Sequence, residues 1–509
     1  MVRRPTRSAP ALDEGAVASP AAAVPAAAAR TSHLRRLAGE TLIYGLGAAF
    51  SGLLNLLLLP LYAHAFSPAD FGRVGLVTTL AALVSIFSSL ALDNSAARWY
   101  WDTEDPVTRR QTIASWLWCQ LAVSSGLAAT LILLGGQFGS VLLGKGVGVS
   151  YLRLALVAVP ATAVPAVTIN WLRLQRRAVA TTLYTLIWGV LTTGCVALLL
   201  LVAHLGPTGL FLGELIASCA MTLGGVLILR EWANPLLLDR SLLRAMLRYS
   251  GPLIPSALAF WVVGVSDRFL VDIFRGVREV GIYQMSNTLA AAVALVTMGF
   301  QQAWGPFAFS LHRDDDAREM YADVFLGFVV IGCAAATAVS LLAPDVLRMI
   351  AATRYLSATS GVFPLALGNV MMGLTYIAGL GPSLLKKTGA VGAAITVAAV
   401  LNIVLNLALI PALGRAGAGY STLIAESLVP VYLFRRSQQL YPVPYRFAIG
   451  AGVVTFAIAI NGTVSHLQLT DEPVSVVVKL AALLLFVPLA GWLRIGRSLR
   501  GAPLSRAVA

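Results

Sequence analysis

"LGPTGLFLGELIA" at residues 205–217 returns as "LGRAGAGYSTLIA" at residues 413–425, keeping Leu205, Gly206, Gly209 and the Leu-Ile-Ala triplet at an offset of 208. A second pair stands earlier in each copy. "FSPADFGRVGLVTTL" (66–80) resembles "FRGVREVGIYQMSNTL" (274–289), where Gly72 answers Gly281 and Thr79-Leu80 answers Thr288-Leu289 at an offset of 209. Two separate places sharing nearly one offset mark a duplicated unit. The offset spans six apolar segments, an even number, so both copies keep one orientation in a membrane. That is a parallel repeat about an axis along the membrane normal.

The membrane assignment comes from composition. Of 509 residues, 58% are hydrophobic and 12% charged, whereas a soluble chain carries about a quarter charged residues. Fourteen runs are long enough to span a bilayer as helices. They lie near 40–63, 73–94, 112–135, 151–172, 180–203, 208–229, 250–272, 281–304, 323–343, 361–383, 389–411, 417–434, 446–463 and 475–493. The expected architecture is all-α and polytopic: two parallel six-helix lobes with an appended helix pair. Its parts are a disordered cytoplasmic tail (1–36), a first lobe (37–230), an interfacial linker (231–248), a second lobe (249–436), and the last two helices with a short tail (437–509). Two such lobes enclose a cleft, and rocking one against the other would give alternating access.

Positive charge sets the orientation. Placing both termini in the cytoplasm puts 27 of the 37 Lys and Arg residues on that side, as the positive-inside rule requires. The formal net charge of +14 is therefore a membrane footprint, and nucleic acid is not expected as a partner. The linker "REWANPLLLDRSLLRAMLRYS" repeats Leu and Arg periodically, as a helix lying in the interface does.

Charged residues inside a bilayer cost roughly 2.5–3.5 kcal/mol each on insertion scales, so they face a bundle interior or a wet cavity. In "FWVVGVSDRFLVDIF" (260–274), Asp267 and Arg268 stand side by side about 10 Å inside the outer end, at 1.5 Å per residue. Adjacent helical residues point about 100° apart and do not face each other. Arg268 is therefore expected in the cleft, where a guanidinium binds phosphate bidentately; an interhelical ion pair is the plainer alternative. Asp267 points elsewhere, to hold a lobe contact, orient Arg268 or carry a coupling proton. Their repeat counterparts are Leu58 and Leu59.

Glu214 and Glu426, on equivalent helices but at shifted positions, are ion-coupling candidates with Asp267; packing is the alternative. Asn55, Gln284, Asn287, Gln301, Gln302, Asn369, Asn402 and Asn406 are candidates for binding sugar, although each can equally bond a neighbouring helix. Asn402 and Asn406 share a face and suggest a polar cavity wall. Trp304 reads as an interfacial anchor. Asp93, Asn94 and Arg98 close the second span and form a candidate cytoplasmic entrance.

Several stretches also resemble a known family. "LAGETLIYGLGAAFSGLLNLLLLPLYAHAFSPADFGRVGLV" (37–77), "LALDNSAARWYWD" (90–102), "VSDRFLVDIFRGVREVGIYQ" (265–284) and "FQQAWGPFAF" (300–309) look like bacterial polysaccharide export flippases of the multidrug/oligosaccharidyl-lipid/polysaccharide exporter superfamily. The likeness covers most of 37–436. It implies movement of an undecaprenyl-pyrophosphate-linked oligosaccharide across the inner membrane for O-antigen, capsule or exopolysaccharide assembly. It also implies lipid and a polysaccharide polymerase or export machinery as partners. The chain departs from the lipid II flippase branch, which carries charges where "GAAFSGLLNLLLLP" offers only Asn55. It departs from the drug/cation antiporters in having fourteen expected helices where they have twelve.

No enzyme, cofactor or metal signature survives. "GSVLLGKG" (139–146) has Gly146 where a phosphate-binding loop needs a hydroxyl for magnesium. The five histidines lack ligand spacing, and the four cysteines lie in apolar stretches. An ion-coupled drug or metabolite antiporter remains the rival transporter reading. A membrane glycosyltransferase would need a catalytic carboxylate on a sizeable outer loop, and no such loop exceeds about 20 residues.

Overall fold

The computed structural model describes residues 43, 47, 50, 52–54, 57–134, 149–311, 316–350, 352–385, 389–467 and 472–492. Among them there is no strand. Helix α1 (57–65) is followed by α2 (Pro68–Ser89), α3 (Leu92–Asp102), α4 (Pro106–Leu133), α5 (Val149–Leu174), α6 (Ala178–Leu201), α7 (Gly206–Leu229), α8 (Arg240–Ser250), α9 (Ile254–Val265) and α10 (Asp267–Arg275). Then come α11 (Val277–Leu311), α12 (Ala317–Met349), α13 (Thr359–Ala378), α14 (Leu380–Leu384), α15 (Gly389–Leu413), α16 (Arg415–Leu440), α17 (Phe447–His466), α18 (Glu472–Leu484) and α19 (Phe486–Trp492).

Local chemistry explains where several of these helices start. Ser67 caps α2 by accepting from the Asp70 amide, with Pro68 in the first turn, where its missing N–H is harmless. Asp105 caps α4 and Asp239 caps α8 in the same way. Leu90 and Ala91, both at φ 49°, end α2 with a left-handed kink.

Ten of the described helices are long and apolar enough to cross a bilayer, and the protein is a multi-pass membrane protein. The expected fourteen is not reached on that measure. Residues 40–56 lie mostly outside the described set. The span expected at 250–272 breaks at Ser266 into α9 and α10, and the one at 475–493 breaks into α18 and α19. Helix α16 is not among the ten; Glu426 and several Gly, Ser, Thr and Tyr residues interrupt its apolar stretch. Asp93, Asn94 and Arg98 lie on α3, past the kink at Leu90-Ala91, in the last turns of the candidate span Pro68–Asp102. The tails 1–36 and 493–509 and the "GSVLLGKG" stretch lie outside the described residues.

Packing sorts the helices into two sets. Helices α4, α5, α6 and α7 pack on one another, as do α11, α13, α15 and α16; α2 joins the sets by lying along α11. One large apolar core includes this junction. A smaller core built on Ile113, Trp116, Trp171, Leu229 and Met246 sits at the end where α3, α4 and α8 meet.

Candidate transport site and gate

The crossing of α2 and α11 puts the sequence repeat to work. A Cβ on Gly72 would overlap the carbonyl oxygen of Val277, and a Cβ on Gly281 would overlap that of Pro68. Gly72 and Gly281 are 209 residues apart, and so are Pro68 and Val277. Equivalent residues therefore meet across a two-fold axis, and only glycine lets the backbones touch. One turn further in, a Cβ on Gly75 would stand 3.5 Å from Oε1 of Gln284, again its partner at the same offset. Deeper still, Trp261 Nε1 donates to the Thr79 carbonyl at 3.2 Å.

Around the glycines this end of the molecule is sealed. Phe66 stacks between Tyr62 and Phe71, with ring centroids 5.7 and 6.2 Å away. Tyr355, from the short 3-10 turn Thr353–Ala358, meets Phe71 edge-on and donates its hydroxyl to the Phe66 carbonyl at 3.0 Å. Arg354 Nη2 donates to the carbonyls of Ala63 and His64 at 2.6 and 2.7 Å, and so caps the negative end of α1. Arg415 links Glu279, at 2.5 Å, to the Ser357 carbonyl at 2.9 Å.

Below this closure sits the charged pair. Ser266, where the span breaks, turns its Oγ back to the Val262 carbonyl at 2.6 Å. Asp267 is 1% exposed; its Oδ2 accepts from the Tyr283 hydroxyl and from Thr422 Oγ1 at 3.3 Å. Its Oδ1 has no hydrogen-bond partner and lies 3.7 Å from Arg268 Nη1. Arg268 is 7% exposed. Its Nε donates to Gln284 Oε1 at 2.6 Å, and its Nη1 reaches back one turn to the Gly264 carbonyl at 3.3 Å.

This corrects the expected geometry. Asp267 and Arg268 were expected to point apart, yet they form an ion pair, because the long guanidinium folds back along α9 to the Gly264 carbonyl and so passes the Asp267 carboxylate. The lone cationic cleft group is thus a paired and mostly buried one. A buried pair of this kind is weak evidence for stability, since desolvation offsets much of its attraction.

The other candidates scatter. Gln284 belongs to the site. Asn287 donates to the carbonyl of Tyr283 and Asn369 to that of Leu365, each within its own helix. Asn402 and Asn406 do not wall a cavity; both are fully buried and bonded to each other at 2.9 Å, leaving one polar atom of each unmatched. Gln301 is exposed; Asn55 and the Gln302 side chain lie outside the described residues. Glu426 packs against Gly368 and stands within electrostatic reach of Asp267, whereas Glu214 stands near Tyr62 in the other set. Asp93 and Asn94 are exposed, and Arg98 pairs with Asp102 at 3.5 Å while lying over the Tyr249 ring. Trp304 is buried and donates to the Tyr376 carbonyl, which corrects its reading as an interfacial anchor. Among the described residues no cluster of side chains suits a metal ion.

Sequence reasoning missed Tyr283, Arg354 and Tyr355. Tyr283 and Thr422 could have been found by asking which hydroxyls the helices packed on Asp267 carry.

The sequence profile of polysaccharide biosynthesis proteins matches residues 62–360, more than half of the chain. The chain belongs to that family. Solved structures agree in fold. A lipid II flippase, MurJ, in an inward closed conformation superposes with TM-score 0.69 at 12% identity, covering 89% of this chain and 99% of its own. An inward-facing multidrug resistance MATE family transporter of the MOP superfamily gives TM-score 0.64 at 14% identity, covering 76% and 94%. An outward-facing form of a MATE family transporter gives 0.53 at 16% identity, covering 80% and 95%. No curated protein matches the chain in sequence. The fold is the one shared by that flippase and those MATE family transporters.

Proposed function

We propose that the chain moves an undecaprenyl-pyrophosphate-linked oligosaccharide across the bacterial inner membrane by alternating access, for assembly of a surface polysaccharide. The observation that carries this reading is the two-fold glycine crossing, which shuts one end of the interface between repeats directly above Arg268. With both termini in the cytoplasm, the closed end is the outer one, and the protein is ready to load from inside. The headgroup enters between the lobes while the polyprenyl tail stays in lipid; a polymerase or export assembly takes the product outside.

Asp267 and Arg268 then act as one exchange unit. While Asp267 is ionised it holds the guanidinium. A proton or small cation arriving at the unpartnered Oδ1 neutralises the carboxylate and releases Arg268 to the pyrophosphate. Tyr283 and Thr422 keep the carboxylate oriented through both states. Ion arrival and anion capture are thereby linked at adjacent residues.

The test is transport in proteoliposomes. A fluorescent polyprenyl-pyrophosphate oligosaccharide is followed by its loss of access to a lectin added on one side. Arg268→Ala should abolish movement while the protein still inserts, and Arg268→Lys should be impaired because it loses bidentate contact. Normal movement by Arg268→Ala removes this residue from the site. The ion-coupled drug or metabolite antiporter is the second reading, and the paired state of Arg268 favours it: an arginine that only balances Asp267 is dispensable. Transport of an organic cation, insensitive to Arg268→Ala and abolished by Asp267→Asn, would decide for it.

A further inference from the structure

The chain's arginines on the α3, α4 and α8 side of the molecule are mostly spoken for. Arg109 donates to the Tyr100 and Thr103 carbonyls and lies over the Tyr100 ring, with the centroid 4.8 Å away. Arg110 pairs with Glu231 at 3.0 Å. Arg98 pairs with Asp102 and covers Tyr249, and Arg177 lies over Trp171. Exposed arginines without such partners stand singly at Arg173 and Arg230, but three stand together on one helix. Arg240, Arg244 and Arg248 are exposed, and among the described residues none has a hydrogen bond, acidic partner or aromatic ring.

These three share one face of α8, at i, i+4 and i+8. The opposite face fixes the direction in which they point. Met246 is fully buried, and Leu242 beside it packs on the smaller core, with Leu243 and Leu247 packing at the flank of the arginine face. The helix lies against α3 and α4, and Asp239 caps its start. Just before it, Leu236 is 90% exposed at the tip of the turn Pro235–Leu237. An apolar tip followed by three free guanidiniums about 6 Å apart (four residues of helical rise) suits the boundary between acyl chains and phosphates. The arginine stems cover apolar surface while their heads reach headgroups.

We infer that α8 is a docking ladder for anionic phospholipids: Arg240, Arg244 and Arg248 each take the phosphate region of a negatively charged headgroup, and Leu236 sits among the acyl chains. Juxtamembrane basic residues attract such lipid in additive steps. Because α8 is the link between the two repeats, the ladder holds the linker in the leaflet while the lobes rock about it. The inference holds whatever the cargo is.

The test uses the full chain in nanodiscs of phosphatidylcholine with phosphatidylglycerol. Native mass spectrometry counts the phosphatidylglycerol retained as detergent is exchanged in. The variant R240Q/R244Q/R248Q should retain none of the three phosphatidylglycerol molecules, and each single variant should retain two, the third being bound about fivefold more weakly. A control, R435Q/R436Q/R446Q, removes equal charge at exposed positions away from the linker and should lose little. Equal loss in both triple variants would overturn the inference, since bulk charge would then suffice. Unchanged phosphatidylglycerol with lost binding of inorganic pyrophosphate would overturn it too, giving the ladder to a pyrophosphate carrier. A single, correctly eluting species for each variant excludes misfolding as the cause.

Discussion

At the scale of single residues, the tightest constraint is the pair Gly72 and Gly281. No side chain fits at either without moving a carbonyl of the opposite repeat. Gly281→Leu should therefore splay the closed end. Labelling of a cysteine placed at the buried Phe71 by an impermeant maleimide should rise at least fivefold, and transport should fall by more than tenfold. Unchanged labelling would mean that the crossing is not a closure. Gly72→Leu should behave alike, because the contact is two-fold. Asp267→Asn, which keeps the acceptor for Tyr283 but loses the charge, should insert normally and lose any dependence of transport on ion gradient. Tyr283→Phe is the milder change: it removes one bond to a buried carboxylate, costing about 1–3 kcal/mol, and should shift the ion dependence without abolishing transport. A Tyr283→Phe protein with wild-type ion response would take the hydroxyl out of the coupling unit.

At the scale of elements, the turn Thr353–Ala358 is the latch. It belongs to the second repeat but bonds the end of α1 in the first, through Arg354 and Tyr355. Arg354→Ala removes the cap on two α1 carbonyls and should favour the form open at this end. Double electron-electron resonance between labels on α1 and α13 should then report a longer population, and an unchanged distance distribution would count against the latch. Helix α8 carries its own pH dependence. The Ser241 hydroxyl and the Leu242 and Ser241 amides hold the Asp239 carboxyl below the usual carboxylate range. Its cap is therefore fully present above the unfolded carboxylate value and is lost as pH falls through the depressed folded value. Protection of the Ser241 and Leu242 amides, corrected for the intrinsic pH dependence of exchange, should fall only under acidic conditions, and in Asp239→Asn that protection should not vary with pH.

At the scale of the whole molecule, the proposed alternating access requires that opening the end where α2 and α11 touch closes the other, because the two long helices are joined at their Pro68 and Val277 turns. A cross-link between α2 and α11 near Pro68 and Val277 should hold the outer end shut and arrest transport reversibly, with activity returning on reduction. Full transport by the cross-linked protein would refute rocking about this contact. The sequence made the duplication and the helical class legible, since periodicity and apolar length are local properties of the chain. It also gave the offset that pairs Gly72 with Gly281, though not that the two glycines touch. What it placed wrongly were the polar side chains. Asn402 and Asn406 share a helix face, but only the packing of α15 decides whether that face sees a neighbour or a cavity. Arg268 is the one cation inside its segment, but its guanidinium folds back beside Asp267 and Gln284. Spacing along a helix fixes directions within that helix; the rotation of one helix against another 209 residues away is set by which side chains and backbones can approach. That rotation belongs to the tertiary structure alone, and it joined Tyr283, Thr422 and Gln284 to the charged pair and sealed the end above them.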